Sequence, residues 1–215
     1  MIGVRMNHFS KVAKEWDTPQ KIDRNRVIAD AIRKELSASN FNLRNPELEI
    51  MDLGCGTGIL SEFFAPYTKR LIGVDPTKEM IEVFNQKFQG KKHITSECKN
   101  LESESASENM RDLDFIMSAM AFHHMKGPMQ VLSKLKNMLK SEGKIFVIDL
   151  DQEDGSFHPD PEAMGVYHNG FAKEELQSWA NELKMGLKHK IIDTIEKNEK
   201  SYPLAMAVFH LESVN

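Results

Sequence analysis

Cysteine is nearly absent: Cys55 and Cys98 are the only two in 215 residues. Two thiols make neither a disulfide framework nor a zinc cluster. Long apolar runs are missing as well, and none approaches the roughly 20 residues that cross a bilayer. The N-terminal stretch MIGVRMNHFSK lacks the apolar core of a secretory signal. A reducing cytoplasm with no membrane partner is the expected setting. MIGVR reads as a short extension, because Met6 also offers a start. A basic excess is lacking too: 28 Lys and Arg stand against 32 Asp and Glu, for a formal charge of −4. That balance leaves no electrostatic footprint for nucleic acid. There is no internal repeat and no Pro/Gly/Ser linker, so residues 1–215 are expected to form one domain.

What is present is an alternation of helix-like and strand-like patterns. Thr18-Pro19 reads as a cap and first turn, followed by Ile28, Ala31, Ile32 and Leu36 at helical spacing, with Glu35 interrupting the face. LEIMDLG reads as a buried strand, SEFFAPY as a helix stopping near Pro66, and RLIGVD as a second strand. Pro76-Thr77 opens a helix carrying Met80, Phe84 and Phe88 four apart. KHITSEC and DLDFIMS are further strands, separated by the polar loop SESASE. PMQVLSKLKNMLKSEG reads as an amphipathic helix closed by Gly143, and KIFVIDL as the strand after it. HKIIDTIEK and LAMAVFHLES predict an antiparallel hairpin turning around Tyr202-Pro203. The pattern as a whole is α/β, a mostly parallel sheet covered on both faces.

The stretch EIMDLGCGTG (49–58) places Gly54, Gly56 and Gly58 between a strand and a helix. Such a loop lets backbone N–H groups and a helix N-terminus approach a ligand. The third glycine of the NAD pattern G-x-G-x-x-G falls on Ile59, which counts against a dinucleotide, and no Gly-Lys-Ser/Thr follows for a P-loop. Asp75 ends the next strand, where a carboxylate suits the vicinal hydroxyls of any adenosine ligand, or stands solvated.

EIMDLGCGTG, IGVDPTKEM, DFIMSAMAFHHM and LKSEGKIFVIDLD together resemble the class I S-adenosylmethionine-dependent methyltransferases, nearest the small-molecule type 11 and type 12 group. The resemblance covers roughly residues 49–150, and FSKVAKEWD also fits it. It implies a Rossmann-like, doubly wound sheet of seven strands, mostly parallel with a reversed last strand at one edge. It divides the chain into an N-terminal lid and helix (1–45), a cofactor-binding core (46–150), a substrate-side loop (151–172) and a terminal helix with edge hairpin (173–215). S-adenosylmethionine is the implied methyl donor. Gly54, Cys55 and Gly56 would line its methionine and ribose, and Asp52 would hold its amino group. Asp75, with Pro76 beside it, would take the ribose hydroxyls. Met80 would flank the adenine or ribose, or belong to the helix core. Glu97-Cys98 match the pair that contacts the adenine amino group, while Ser118 and Ala119 would border the methionine.

Methyl transfer from a sulfonium is an in-line displacement with a neutral leaving group, so alignment and a dry pocket suffice and no metal is required. A base is needed only where the accepting atom must lose a proton. His123 and His124 follow the fourth strand and suit that role, or serve packing and helix entry. The segment DLDQEDGSFHPDPEAMGVYHNGF gathers Asp149, Asp151, Glu153, Asp154, His158, Asp160 and His168. It reads as a substrate lid using His158 or Tyr167, as a metal site, or as a solvated acidic loop. Phe9 and Trp16 fold over the cofactor or pack on the first helix. Met117, Met120, Met125 and Met129 hint at an adaptable apolar cavity or at ordinary packing. The expected activity is methyl transfer to a small-molecule acceptor. The alternatives are a nucleotide-dependent oxidoreductase of NAD type and a catalytically silent S-adenosylmethionine-binding module.

Overall fold

Thr18 begins the first long helix as its chemistry dictates, with extended backbone (φ −78°, ψ 154°) and its hydroxyl accepting from the Lys21 N–H. This computed structural model describes residues 6–39, 47–197 and 199–212; MIGVR lies outside them. The chain divides into two units, residues 1–100 and 101–215. In the first, α1 (Met6–Val12) precedes α2 (Pro19–Ala38). The buried stripe of α2 is Ile28, Ala29, Ile32 and Leu36, not the expected Ala31. A four-residue step advances about 40° around a helix, so the stripe drifts toward Ala29 and away from Ala31.

Next come β1 (Leu48–Leu53), α3 (Ile59–Phe64), β2 (Thr68–Asp75), α4 (Lys78–Lys87) and β3 (Ile94–Cys98). β1 and β3 both pair parallel with β2, aligning Asp52 with Gly73 and Asp75 with Cys98. Met80, Phe84 and Phe88 are all buried. Their packing explains one glycine of the loop directly. Gly58 has φ +82°, and a Cβ there would lie 2.7 Å from atoms of both Phe84 and Phe88. Gly58→Ala is therefore expected to cost about 1–3 kcal/mol of stability, from overpacking and left-handed strain together. Denaturant unfolding reads this; an unshifted midpoint would show that the loop yields freely.

The second unit contains β4 (Leu113–Ala119), α5 (Pro128–Lys136), β5 (Leu139–Leu150), α6 (Lys173–Glu182), β6 (Met185–Lys197) and β7 (Lys200–Leu211). Two expectations are corrected here. The helix from Pro128 stops at Lys136, because the Met138 carbonyl already accepts from the Leu113 N–H and draws the chain onto β4. Gly143 is not a helix cap but part of β5, where the register shifts between Leu113–Leu139 and Phe115–Lys144. A Cβ on it would lie 3.0 Å from the Leu113 and Lys140 carbonyl oxygens. The hairpin turns earlier than expected. Tyr202 and Pro203 lie within β7 opposite Ile195 and Thr194, and the Pro203 carbonyl accepts from the Asp151 N–H.

Together the strands form a seven-stranded sheet in the order β3-β2-β1-β4-β5-β7-β6. β7 runs antiparallel to both β5 and β6, so the last strand is reversed as the resemblance implies, with its hairpin partner β6 outside it at the sheet edge. Ile145 to Ile148 in β5 are buried without interruption, as a strand covered on both faces requires. Among the described residues, no helix is long and apolar enough to cross a membrane.

Candidate functional site

In the first unit the chemistry gathers around the loop leaving β1. Gly54, Gly56 and Gly58 all have positive φ, at 70°, 51° and 82°. The turn is thus one that residues with a Cβ rarely adopt. Its shape is held by Asp75 at the end of β2. One carboxylate oxygen accepts from the Gly56 N–H at 3.0 Å, and the other from the Thr77 N–H at 2.8 Å. The Thr77 hydroxyl donates to the same carboxylate, so Asp75 anchors the loop through three donors and keeps limited capacity to accept from a further group. Burial pushes its carboxyl above the ordinary range, and the two N–H bonds moderate the rise.

Asp52, near the end of β1, is buried and accepts from the Ser61 hydroxyl at 2.6 Å. Burial pushes it up to about 7; the Ser61 bond opposes the rise and the charge of Asp75 adds to it. A cationic group brought beside it would favour the ionised form. Cys55 is different. Its thiol lies against Gly73, since a Cβ on that glycine would meet Sγ at 2.9 Å, and burial pushes its pKa well up. Only its backbone suits a ligand.

Trp16 Nε1 and Met80 Sδ lie 3.8 and 3.9 Å from where a Gly56 Cβ would sit. Met80 is buried in α4, as its core reading expects, with its sulfur beside the loop. Phe9 meets Trp16 edge-on at 5.7 Å between centroids. The Thr57 hydroxyl donates to Asp17, whose other oxygen accepts from Lys87 Nζ at 2.7 Å. This clasp ties the segment before α2 to the loop, and sequence reasoning missed it because partners 40 residues apart leave no local signal. At the end of β3, Glu97 pairs with Lys99 at 3.3 Å. Cys98, beside Asp75 in register, has Sγ 3.7 Å from the Pro76 carbonyl.

In the second unit the chemistry gathers at the ends of β4 and β5. Ser118 and Ala119 close β4, and the Ser118 hydroxyl is buried without a hydrogen-bond partner. Met120 follows with φ 55°, a strained conformation that turns the chain toward a short 3-10 turn at Phe122–His124. His123 is 1% exposed. Its Nδ1–H donates to Asp149 at 2.6 Å, and its backbone N–H donates to the other oxygen at 3.2 Å. Burial alone would raise the Asp149 carboxyl. The charge and hydrogen bonds of His123 and the Leu150 N–H outweigh it, so the pKa is lowered. The acid-histidine pair went unread because the sequence offered Asp149 only as one carboxylate among several.

The segment after β5 is structured over these histidines. Backbone N–H groups of Tyr167 and His168 donate to the His123 carbonyl, and His124 Nδ1 donates to the Gly165 carbonyl at 3.1 Å. Phe157, His158, Val166 and Phe171 are buried, so this is no free solvated loop. Among its acidic residues, Asp154 pairs with Lys200 at 2.8 Å, Asp160 caps the Ala163 N–H, and Glu153 accepts from the Phe157 N–H at 3.2 Å. Tyr167 stands at the surface. His158 instead lies 5.0 Å from the His123 ring and 6.1 Å from that of His124. Burial, then the neighbouring His123, lowers His124 to about 3 and His158 to about 4. Both rings are neutral, hydrogen-bond-accepting groups at physiological pH.

A family model described as "Methyltransferase domain" matches residues 51–147. An uncharacterised methyltransferase of Schizosaccharomyces pombe is 32% identical over 174 residues, covering 75% of this chain and 60% of that protein. A ubiquinone biosynthesis O-methyltransferase of Pelagibacter ubique is 26% identical over 153 residues, covering 67% of this chain and 63% of that one. The chain thus spans about three fifths of the length of these curated relatives. Among solved structures, a SAM-dependent methyltransferase from Aquifex aeolicus aligns with TM-score 0.63 at 20% identity, over 94% of this chain and 98% of that one. The plantazolicin methyltransferase BpumL, in complex with a triazolic desmethylPZN analogue and SAH, gives TM-score 0.70 at 16% identity, over 96% and 91%. At such identities the structures speak for the fold alone. The matched domain and the named relatives, with the seven-stranded fold in agreement, place this chain in the class I S-adenosylmethionine-dependent methyltransferase family.

Proposed function

We propose that this protein moves the methyl group of S-adenosylmethionine to a small-molecule acceptor by in-line displacement. The observation that carries the reading is the loop of three left-handed glycines, fixed by Asp75 through the Gly56 and Thr77 N–H groups. Gly54, Cys55 and Gly56 offer backbone to the methionine and ribose, and Asp75 accepts from the ribose hydroxyls. Asp52 receives the ammonium group. Met80 and Pro76 border the nucleoside, with Glu97-Cys98 toward the adenine. Ser118 and Ala119 line the methionine.

The acceptor end is assigned to the imidazoles. His123 is held by Asp149 with Nε2 open, while His124 and His158 are neutral acceptors beside it. Such nitrogens suit an acceptor that presents an O–H, S–H or N–H donor. A relative named as an O-methyltransferase and a structural neighbour solved with a small azole analogue support a small acceptor. The acidic overall charge argues the same way against a nucleic-acid substrate.

Turnover is the test. Purified protein incubated with S-adenosylmethionine and a panel of phenols, thiols, amines and carboxylic acids is expected to release S-adenosylhomocysteine with one class. Binding of the donor without product from any class would establish the silent module instead.

A further inference from the structure

We propose that His123, His124 and His158 form a three-imidazole site for a divalent transition-metal ion, zinc by preference. The three rings each bring one nitrogen to within 4.8 Å of the other two. A tetrahedral ion with Zn–N bonds near 2.0–2.1 Å needs nitrogens about 3.3 Å apart, so side-chain adjustments on the order of an ångström complete the site. Two of those rings carry buried nitrogens with no hydrogen-bond partner, His123 Nε2 and His158 Nδ1. Buried polar atoms are seldom left that way unless something else satisfies them.

Two of the three tautomers are already those a metal requires. His123 donates Nδ1–H to Asp149, which places its lone pair on Nε2. His124 donates Nδ1–H to the Gly165 carbonyl, which places its lone pair on Nε2 as well. The Asp149–His123 pair is the carboxylate-imidazole arrangement that orients a ligating ring and raises its basicity. Imidazole donors suit zinc, copper, nickel and iron rather than magnesium or calcium.

Three histidines leave one position of a tetrahedral ion open, the pattern of catalytic rather than structural zinc. An oxygen or sulfur donor of small size would fill it. The site uses the nitrogens that the methyl-transfer reading offers to the acceptor, so a bound ion would take the acceptor's oxygen or sulfur as its fourth ligand in place of those hydrogen bonds; it is tested apart from that reading, because metal affinity is measured without donor or acceptor.

Cobalt(II) reports the geometry. Full-length protein stripped with chelator is expected to bind one equivalent of Co²⁺ with the visible absorption of a tetrahedral site, displaced by Zn²⁺. His158→Ala should weaken binding at least tenfold while keeping a native circular-dichroism spectrum, and His124→Ala should do the same. Asp149→Asn should weaken it about 10–100-fold. His93→Ala, at an exposed histidine, should leave it unchanged. Absence of stoichiometric binding to the wild-type chain would overturn the proposal. So would affinity retained in folded His158→Ala, or a thiolate charge-transfer band placing the metal on cysteine.

Discussion

Replacing Asp75 with alanine is expected to weaken S-adenosylhomocysteine binding about 10–100-fold, on the order of 1–3 kcal/mol. Two losses combine. The ligand's vicinal hydroxyls lose their acceptor, and the Gly56 and Thr77 N–H groups lose the oxygens that fix the loop. Asp75→Asn should be nearly as harmful. Its amide presents a donor toward one of two N–H groups that themselves only donate. Equilibrium dialysis of the two variants against wild type checks this. Affinity unchanged in Asp75→Ala would remove the residue from the site.

The second large effect is a pH dependence carried by Asp52. Its carboxyl titrates near 7 in the free protein, chiefly because it is buried. A ligand ammonium placed beside it would favour the ionised form and so bind that form more tightly. Affinity for S-adenosylhomocysteine should therefore rise with pH, approaching tenfold per pH unit below about 7 and levelling above it. Binding at pH 6 should release a proton, seen as a dependence of calorimetric heat on the buffer's ionisation enthalpy. Stability of the free protein should show the opposite trend. An unfolded aspartate loses its proton near 3.8, the folded one near 7. Between those values the folded chain binds more protons, so stability falls as pH rises through the window and flattens above it. Asp52→Asn should remove Asp52's contribution to both slopes. A flat affinity profile in the wild type would contradict the assignment of Asp52 to the ammonium.

The parts of this fold legible in the sequence were those written in local pattern. Gly54, Gly56 and Gly58 announce a backbone that needs left-handed turns; the alternation of strand and helix predicts a mostly parallel sheet with a terminal hairpin, and the resemblance implies its reversed last strand. Where reading failed, a distant partner decided. The apolar periodicity of Val131, Leu132 and Leu135 runs on through Met138, yet the Leu113 N–H captures the Met138 carbonyl and starts a strand. Tyr202-Pro203 looks like a turn, but a proline whose carbonyl serves Asp151 sits comfortably in β7.

The candidate site follows the same rule. Asp75 and Asp52 could be singled out because each ends or nearly ends a strand beside the loop. Their partners could not: Ser61 on α3 and Asp17 in the clasp carry no spacing signal. His123 and His124 are adjacent and conspicuous, whereas His158 lies inside an acidic stretch that suggests solvation. Only the fold shows that Asp154 pairs with Lys200 at the surface while His158 and Asp149 are buried.

The most direct test of the account is calorimetric titration of the purified protein with S-adenosylhomocysteine, alongside NADH, at pH 8. One equivalent of S-adenosylhomocysteine should bind, lost or strongly weakened in Asp75→Ala, with no heat from NADH. Saturable NADH binding with none for S-adenosylhomocysteine would contradict the methyltransferase reading of the glycine loop.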